Sequence, residues 1–145
     1  EDCYIEPTVL RNVSPDAPVM QSEIFGPVLP VLRIKDVGEA IEFVNRGEKP
    51  LALYLFSNDS ATEDRVLSST SSGGVTINGT IMHIANSKMP FGGVGPSGMG
   101  AYHGRYSFET FSHRKAVLRR GFKFDLKMMY PPYTEFRTRM TKKIL

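Results

Sequence analysis

Residues 27–78 alternate apolar runs of strand length with amphipathic stretches, joined by short connections, and this order restricts the fold more than any other feature of the chain. "PVLPVLRI" (27–34) reads as a mostly buried strand in which Pro30, lacking a backbone N–H, demands an edge or a bulge. "DVGEAIEFVNRGEKP" (36–50) then reads as a helix. Asp36 caps it, Glu39 reaches back from three residues on, Val37, Ala40, Ile41 and Val44 form an apolar stripe, and Gly47 with Pro50 ends it. "LALYLF" (51–56) is a second strand. "SATEDRVLSSTSSGG" (60–74) repeats the helical pattern, with Ser60 and Glu63 as the capping pair and Gly73-Gly74 as the stop, and "VTIN" (75–78) is a third strand. Such an order is that of parallel strands joined by right-handed crossovers, so the expected fold class is α/β with a parallel βαβαβ unit. Three strands are few for a sheet that needs both faces covered, and further strands outside these residues are expected to complete it.

The rest of the chain constrains function more than fold. With 145 residues and 41% hydrophobic content, the chain has the material for one ordinary core or part of one. No apolar run approaches the roughly 20 residues of a membrane-spanning helix, and the first residues do not resemble a signal peptide. The lack of an initiating methionine adds to the expectation of an excerpt from a longer protein. The single cysteine, Cys3, excludes an internal disulfide, which favours a cytoplasmic setting. It lies among Glu1, Asp2 and Glu6, where a thiolate is disfavoured, and is read as structural.

Charge is unevenly distributed. Residues 1–112 carry 8 basic and 13 acidic side chains, whereas residues 113–145 carry 10 basic and 2 acidic ones. A basic tail suits an anionic membrane surface, a nucleic acid or an acidic protein face. Nucleic acid is not expected, because no recognised reading motif accompanies the patch. A short helix is read from about Ser107, residues 114–120 as an exposed or edge strand, and the last residues as an amphipathic helix with Phe136, Met140 and Ile144 on one face.

"MPFGGVGPSGMG" (89–100) contains five glycines, and Gly93 to Gly98 satisfies the letters of the dinucleotide fingerprint G-x-G-x-x-G. The context is wrong for a phosphate cradle. No strand runs into Gly93, Pro96 removes an N–H, and Leu118 stands where an acidic residue for the ribose is expected. A loop that packs closely against backbone or beside a pocket, with Phe91 at its entrance, fits better. Ser97 lacks the elbow context of a hydrolase nucleophile and reads as a hydrogen-bonding loop residue. His83 and His113 have no partner spacing for a metal or a triad and are read as structural.

Taken together, "SEIFGPVLPV" (22–31) and "MPFGGVGPSGMGAYHGRYSFETFSHRK" (89–115) resemble the aldehyde dehydrogenase superfamily, with its E-x-F-G-P-V segment and a later P-F-G-G-x-x-x-S-G loop. "GMGAYHG" and "FETFSHRK" are similar to the class 3 branch, which handles fatty and aromatic aldehydes. The resemblance runs from about Tyr4 to Pro132. It implies oxidation of an aldehyde substrate to a carboxylic acid with NAD or NADP, through a cysteine thioester hydrolysed by glutamate-activated water. It also implies that the cysteine and glutamate segments are missing from these residues, so that this chain should be inactive alone. By the resemblance, Glu23 binds the nicotinamide ribose and Phe25 packs near the nicotinamide ring. Ile81, Ile84, Phe91 and His103 line or neighbour the aldehyde pocket. No catalytic or metal-binding residue is assigned.

The implied organisation is residues 1–103 as the C-terminal portion of the catalytic domain, 104–120 as a helix and a bridging strand of a homodimer, and 121–145 as a basic tail, which places the protein in the cytoplasm or at the periphery of an intracellular membrane. A non-catalytic dimerisation module and a membrane-surface interaction module stay open as alternatives, the latter through the basic tail.

Overall fold

The computed structural model describes residues 3–123 and 125–144. Two compact units are present, Glu1–Ser112 and His113–Leu145.

The first unit is α/β with parallel strand pairing. Its elements are β1 (Thr8–Arg11), β2 (Val28–Val31), α1 (Val37–Arg46), β3 (Ala52–Leu55), α2 (Ser60–Ser69), β4 (Gly74–Ile77), the one-turn α3 (Met82–Ala85) and α4 (Arg105–Thr110). Strand β2 pairs in parallel with β1, and β3 with β4, giving two two-stranded sheets rather than one ladder through all the strands. The partner of β2 is thus not β3 but β1, in a proline-punctuated opening that reads as irregular from sequence. Only four residues, "TVLR", carry the strand signal there, too few to show a period. Pro30 sits inside β2 opposite Leu10, in a strand whose other side pairs with no described strand, as a missing N–H requires.

Capping fixes both long helices. The Asp36 carboxylate accepts from Glu39 N–H at 3.0 Å. In return Glu39 Oε2 accepts from Lys35 N–H at 2.6 Å, one residue before the position a capping box would use. The half-buried stripe Val37, Ala40, Ile41 and Val44 forms as its spacing predicts.

Helix α2 corrects two expectations. Its cap is Asp59, not Ser60. The Asp59 carboxylate accepts from Ala61 N–H at 3.3 Å, Thr62 N–H at 3.1 Å and the Thr62 hydroxyl at 2.6 Å. Two carboxylate oxygens satisfy more of the first-turn donors than one hydroxyl can. The helix also stops at Ser69, before Gly73-Gly74. Those glycines open β4 instead, where Gly73 N–H donates to Pro50 O at 2.9 Å and Gly74 N–H to Leu51 O at 3.0 Å.

Side chains between the helices and the β3–β4 pair are mostly half-buried, and among the described residues Val66 of α2 is the one hydrophobic residue that is buried, at 7% exposure. Large apolar groups stay open, Phe25 at 93% and Phe111 at 88% exposure among them.

In the second unit, a 3-10 turn (Lys127–Met129) precedes α5 (Glu135–Ile144). Arg137 braces the start of that helix by donating to Pro132 O at 3.2 Å, and Asp125 accepts from Arg120 at 3.0 Å and from the Tyr130 hydroxyl at 3.2 Å. Residues 114–120, expected as a bridging strand, belong to no ladder of this chain. A strand exists only with a neighbour to hydrogen-bond, and within one copy of the chain this segment has none among the described strands. Helix α4 begins at Arg105, two residues ahead of the expected start.

The Asp59 cap is titratable. Its hydrogen bonds, led by those from Thr62, hold the carboxyl below its ordinary pKa. A depressed folded-state pKa means that the contribution is present above the unfolded value and is lost as pH falls through the folded one. Asp59→Ala is expected to lower the thermal midpoint by a few degrees at neutral pH, whereas Asp59→Asn recovers most of the loss. Thermal melts followed by circular dichroism should show the wild-type advantage over Asp59→Ala shrinking in acid.

Candidate functional site

Chain reversal after β4 gathers a cluster of side chains around His83. Asn78, at φ +55, closes the strand ends, since its side chain exchanges hydrogen bonds with Ser57 N–H at 2.9 Å and Ser57 O at 2.7 Å. The chain then turns through Gly79 and enters α3 at Ile81, whose φ of +64 is unusual for a β-branched residue. That reversal carries His83 back onto β4. Its Nδ1 lies 2.9 Å from the Thr76 hydroxyl, and the residue is only 5% exposed. A Cβ on Gly74 would come within 2.7 Å of the His83 ring, so the absence of a side chain there makes room for the imidazole.

The glycine-rich segment comes next. An antiparallel bridge pinches it at the base, with Phe91 N–H donating to Tyr102 O at 3.1 Å and Tyr102 N–H to Phe91 O at 2.9 Å. Within the loop the backbone folds on itself. A Cβ on Gly92 would strike Gly100 O and lie 2.9 Å from the Ala101 Cα, and one on Gly93 would strike Ser97 O. Ser97 closes the turn, its hydroxyl accepting from Val94 N–H at 3.0 Å and donating to Val94 O at 3.1 Å. No strand leads into Gly93, and a 3-10 turn (Gly95–Ser97) replaces the helix that a pyrophosphate would need. The glycines are there for backbone contact.

Aromatic rings line the base of this loop. The Phe91 ring lies 5.3 Å from that of His83, 5.6 Å from Tyr102 and 6.4 Å from His103, while Tyr54 of β3 meets His83 edge-on at 6.0 Å. His103, at φ +93, spans the neck of the loop by donating from Nδ1 to Met89 O at 2.9 Å. Because a carbonyl only accepts, that bond puts the proton on Nδ1.

The structure therefore gathers Phe91 and His103, and it brings the turn carrying Ile81 and Ile84 beside them through His83. Ile81 is exposed and Ile84 half-buried. Glu23 and Phe25 lie elsewhere, in the segment between a 3-10 turn (Pro18–Met20) and β2. Both are exposed, and neither side chain has a hydrogen bond, ion pair or ring contact among the described residues. Sequence reasoning missed Tyr102 and the Thr76–His83 pair. Nothing local marks the pair, because the two meet only once the chain reverses at Gly79.

The first unit is thus an α/β unit with an open carboxylate beside β2 and an aromatic-lined, glycine-tight loop after β4, and the comparisons make the family explicit. The sequence profile of the Aldehyde dehydrogenase family matches residues 1–117, and the chain belongs to that family. It is 54% identical over 141 residues to rat aldehyde dehydrogenase family 3 member A2, covering 96% of this chain and 29% of that protein. It is 55% identical over 131 residues to the mouse dimeric NADP-preferring aldehyde dehydrogenase, covering 89% and 29%. Among solved structures, the substrate-bound state of Staphylococcus aureus AldH superposes with a TM-score of 0.79 at 47% identity, over 98% of this chain and 31% of that one. The chain thus spans under a third of the length of these relatives.

The loop packing is directly testable. Gly92→Ala, which drives a methyl into backbone, is expected to destabilise by about 1–3 kcal/mol. Gly26→Ala, with nothing within 4 Å of the added carbon, should stay within about 0.5 kcal/mol of wild type. Urea unfolding midpoints compare the two.

Proposed function

We propose that this chain is the later part of the catalytic region of a class 3-type aldehyde dehydrogenase, an enzyme that oxidises fatty or aromatic aldehydes to carboxylic acids with NAD or NADP. The observation that carries the reading is the family match over residues 1–117 together with a carboxylate and an aromatic ring left open at Glu23 and Phe25. Those side chains fit a nicotinamide ribose. A carboxylate without other partners can accept both ribose hydroxyls, and an exposed ring supplies a flat apolar surface. The nicotinamide, when bound, takes the hydride from the substrate. Phe91, with Ile81, Ile84 and His103, forms one wall of the aldehyde pocket, excluding water from the carbonyl and aligning it.

The nucleophilic cysteine that forms the thioester and the glutamate that activates water come from outside these residues in this reading. Supplied with a long-chain or aromatic aldehyde and NAD or NADP, the isolated 145-residue chain should yield no reduced cofactor by absorbance. Genuine turnover would overturn the assignment of the missing groups. In the full-length protein, Glu23→Ala is expected to raise the KM for NAD or NADP roughly tenfold or more, the loss of charge-assisted hydrogen bonds, while the KM for aldehyde changes little. Unchanged cofactor affinity would favour a non-catalytic assembly module instead.

The tail supports a second role alongside catalysis. In α5, Phe136 is 74% exposed among Arg137, Arg139, Lys142 and Lys143, a combination suited to an anionic membrane surface. Cosedimentation with anionic vesicles should be lost on deleting residues 133–145, and binding that persists would count against it. Residues 114–120, which belong to no described ladder within one copy, are the segment for the bridge of a homodimer, as the name of the dimeric mouse relative suggests.

A further inference from the structure

His83 reads from sequence as a structural residue, yet it is the point at which both pieces of the proposed pocket wall are fastened. Its ring is nine-tenths buried, hydrogen-bonded to Thr76 of β4, seated in the space that the missing Gly74 side chain leaves, and in contact with the Phe91 ring. Ile81 and Ile84 flank it on the same turn. We infer that His83 is a positioning residue for aldehyde recognition: through Thr76 it ties the Ile81–Ile84 turn and the Phe91 loop base to β4 as one unit, and so sets the width of the pocket. The inference rests on the reading of Ile81, Ile84 and Phe91 as pocket wall.

The hydrogen-bond inventory assigns the proton. Nε2 is buried with no partner among the described residues. A buried N–H without an acceptor costs more than a lone pair without a donor, so Nε2 carries the lone pair and Nδ1–H donates to the Thr76 hydroxyl. Thr76 therefore serves as acceptor, a role serine can fill and valine cannot. Valine keeps the branched shape, so it removes the bond with little change in packing.

The test uses the full-length protein that carries this segment, with Thr76→Val and Thr76→Ser. Thr76→Val is expected to raise the KM for a bulky aromatic aldehyde roughly three- to tenfold, the worth of one buried hydrogen bond, with kcat and the KM for NAD or NADP within about twofold. Thr76→Ser restores the aldehyde KM. Nitrogen-15 spectra of the histidines should show the His83 proton on Nδ1 in wild type and in Thr76→Ser, and a changed signal in Thr76→Val. An unchanged aldehyde KM in Thr76→Val, or a Thr76→Ser variant as impaired as Thr76→Val, overturns the inference. Should the wild-type protein oxidise no aldehyde, the enzymatic reading fails, and with it the recognition role. Hydrogen exchange then still reads the clamp itself. The amides of Ile84 and Phe91 quicken together in Thr76→Val if one imidazole holds both segments, and exchange that quickens at only one of them refutes it.

Discussion

Backbone meets backbone at Gly73, and most of the first unit is arranged by that contact. A Cβ there would strike Gly92 O and lie 2.6 Å from Leu51 O and 3.0 Å from the Gly93 Cα. Three chain segments, the entry to β3, the start of β4 and the base of the glycine loop, therefore approach more closely than any side chain allows. The paired amides of Gly73 and Gly74 on Pro50 and Leu51 set the register of β3 against β4. From that register follow the position of Thr76, the seat of His83 and the Phe91 ring that packs beside it. Packing energy is a smaller influence here, since the described residues bury so few apolar side chains completely.

The glycine loop shows how one composition serves opposite ends. A phosphate cradle uses glycine to bring backbone N–H groups to a ligand, whereas Gly92 and Gly93 bring backbone to backbone and leave the loop filled with itself. The result is a stiff segment with an aromatic ring at its base, held by the Phe91–Tyr102 bridge and by His103 across the neck. Such a base leaves the Phe91 ring little freedom to lose.

Local signals in the sequence were reliable where a short stretch determines its own structure. The α1 stripe, the Asp36 cap and the strands at 52–55 and 74–77 depend on neighbours within a few residues and are legible. Legibility failed where the outcome depends on distant chain. Strand β1 is recognisable only beside β2, whereas the α2 cap was a local miss, Asp59 one position before Ser60 offering two acceptors. Gly73 and Gly74 look like a helix stop until the glycine loop packs against the first and His83 against the second. At the candidate site, the P-F-G-G and E-I-F-G-P strings point to Phe91, Glu23 and Phe25 by resemblance, but the Thr76–His83 bond has no sequence signature, being made across a reversal of the chain.

Two-stranded sheets have no interior. In the β1–β2 pair each strand is an edge, with Val9 and Leu29 opposite one another and both about 60% exposed. Pro30 cannot donate, which blunts one edge locally, but the remaining peptide groups are open templates for another strand. Produced apart from whatever covers these edges, the segment would recruit extended chain of any origin, including further copies of itself, and its solubility would be lower than its net charge of +3 suggests.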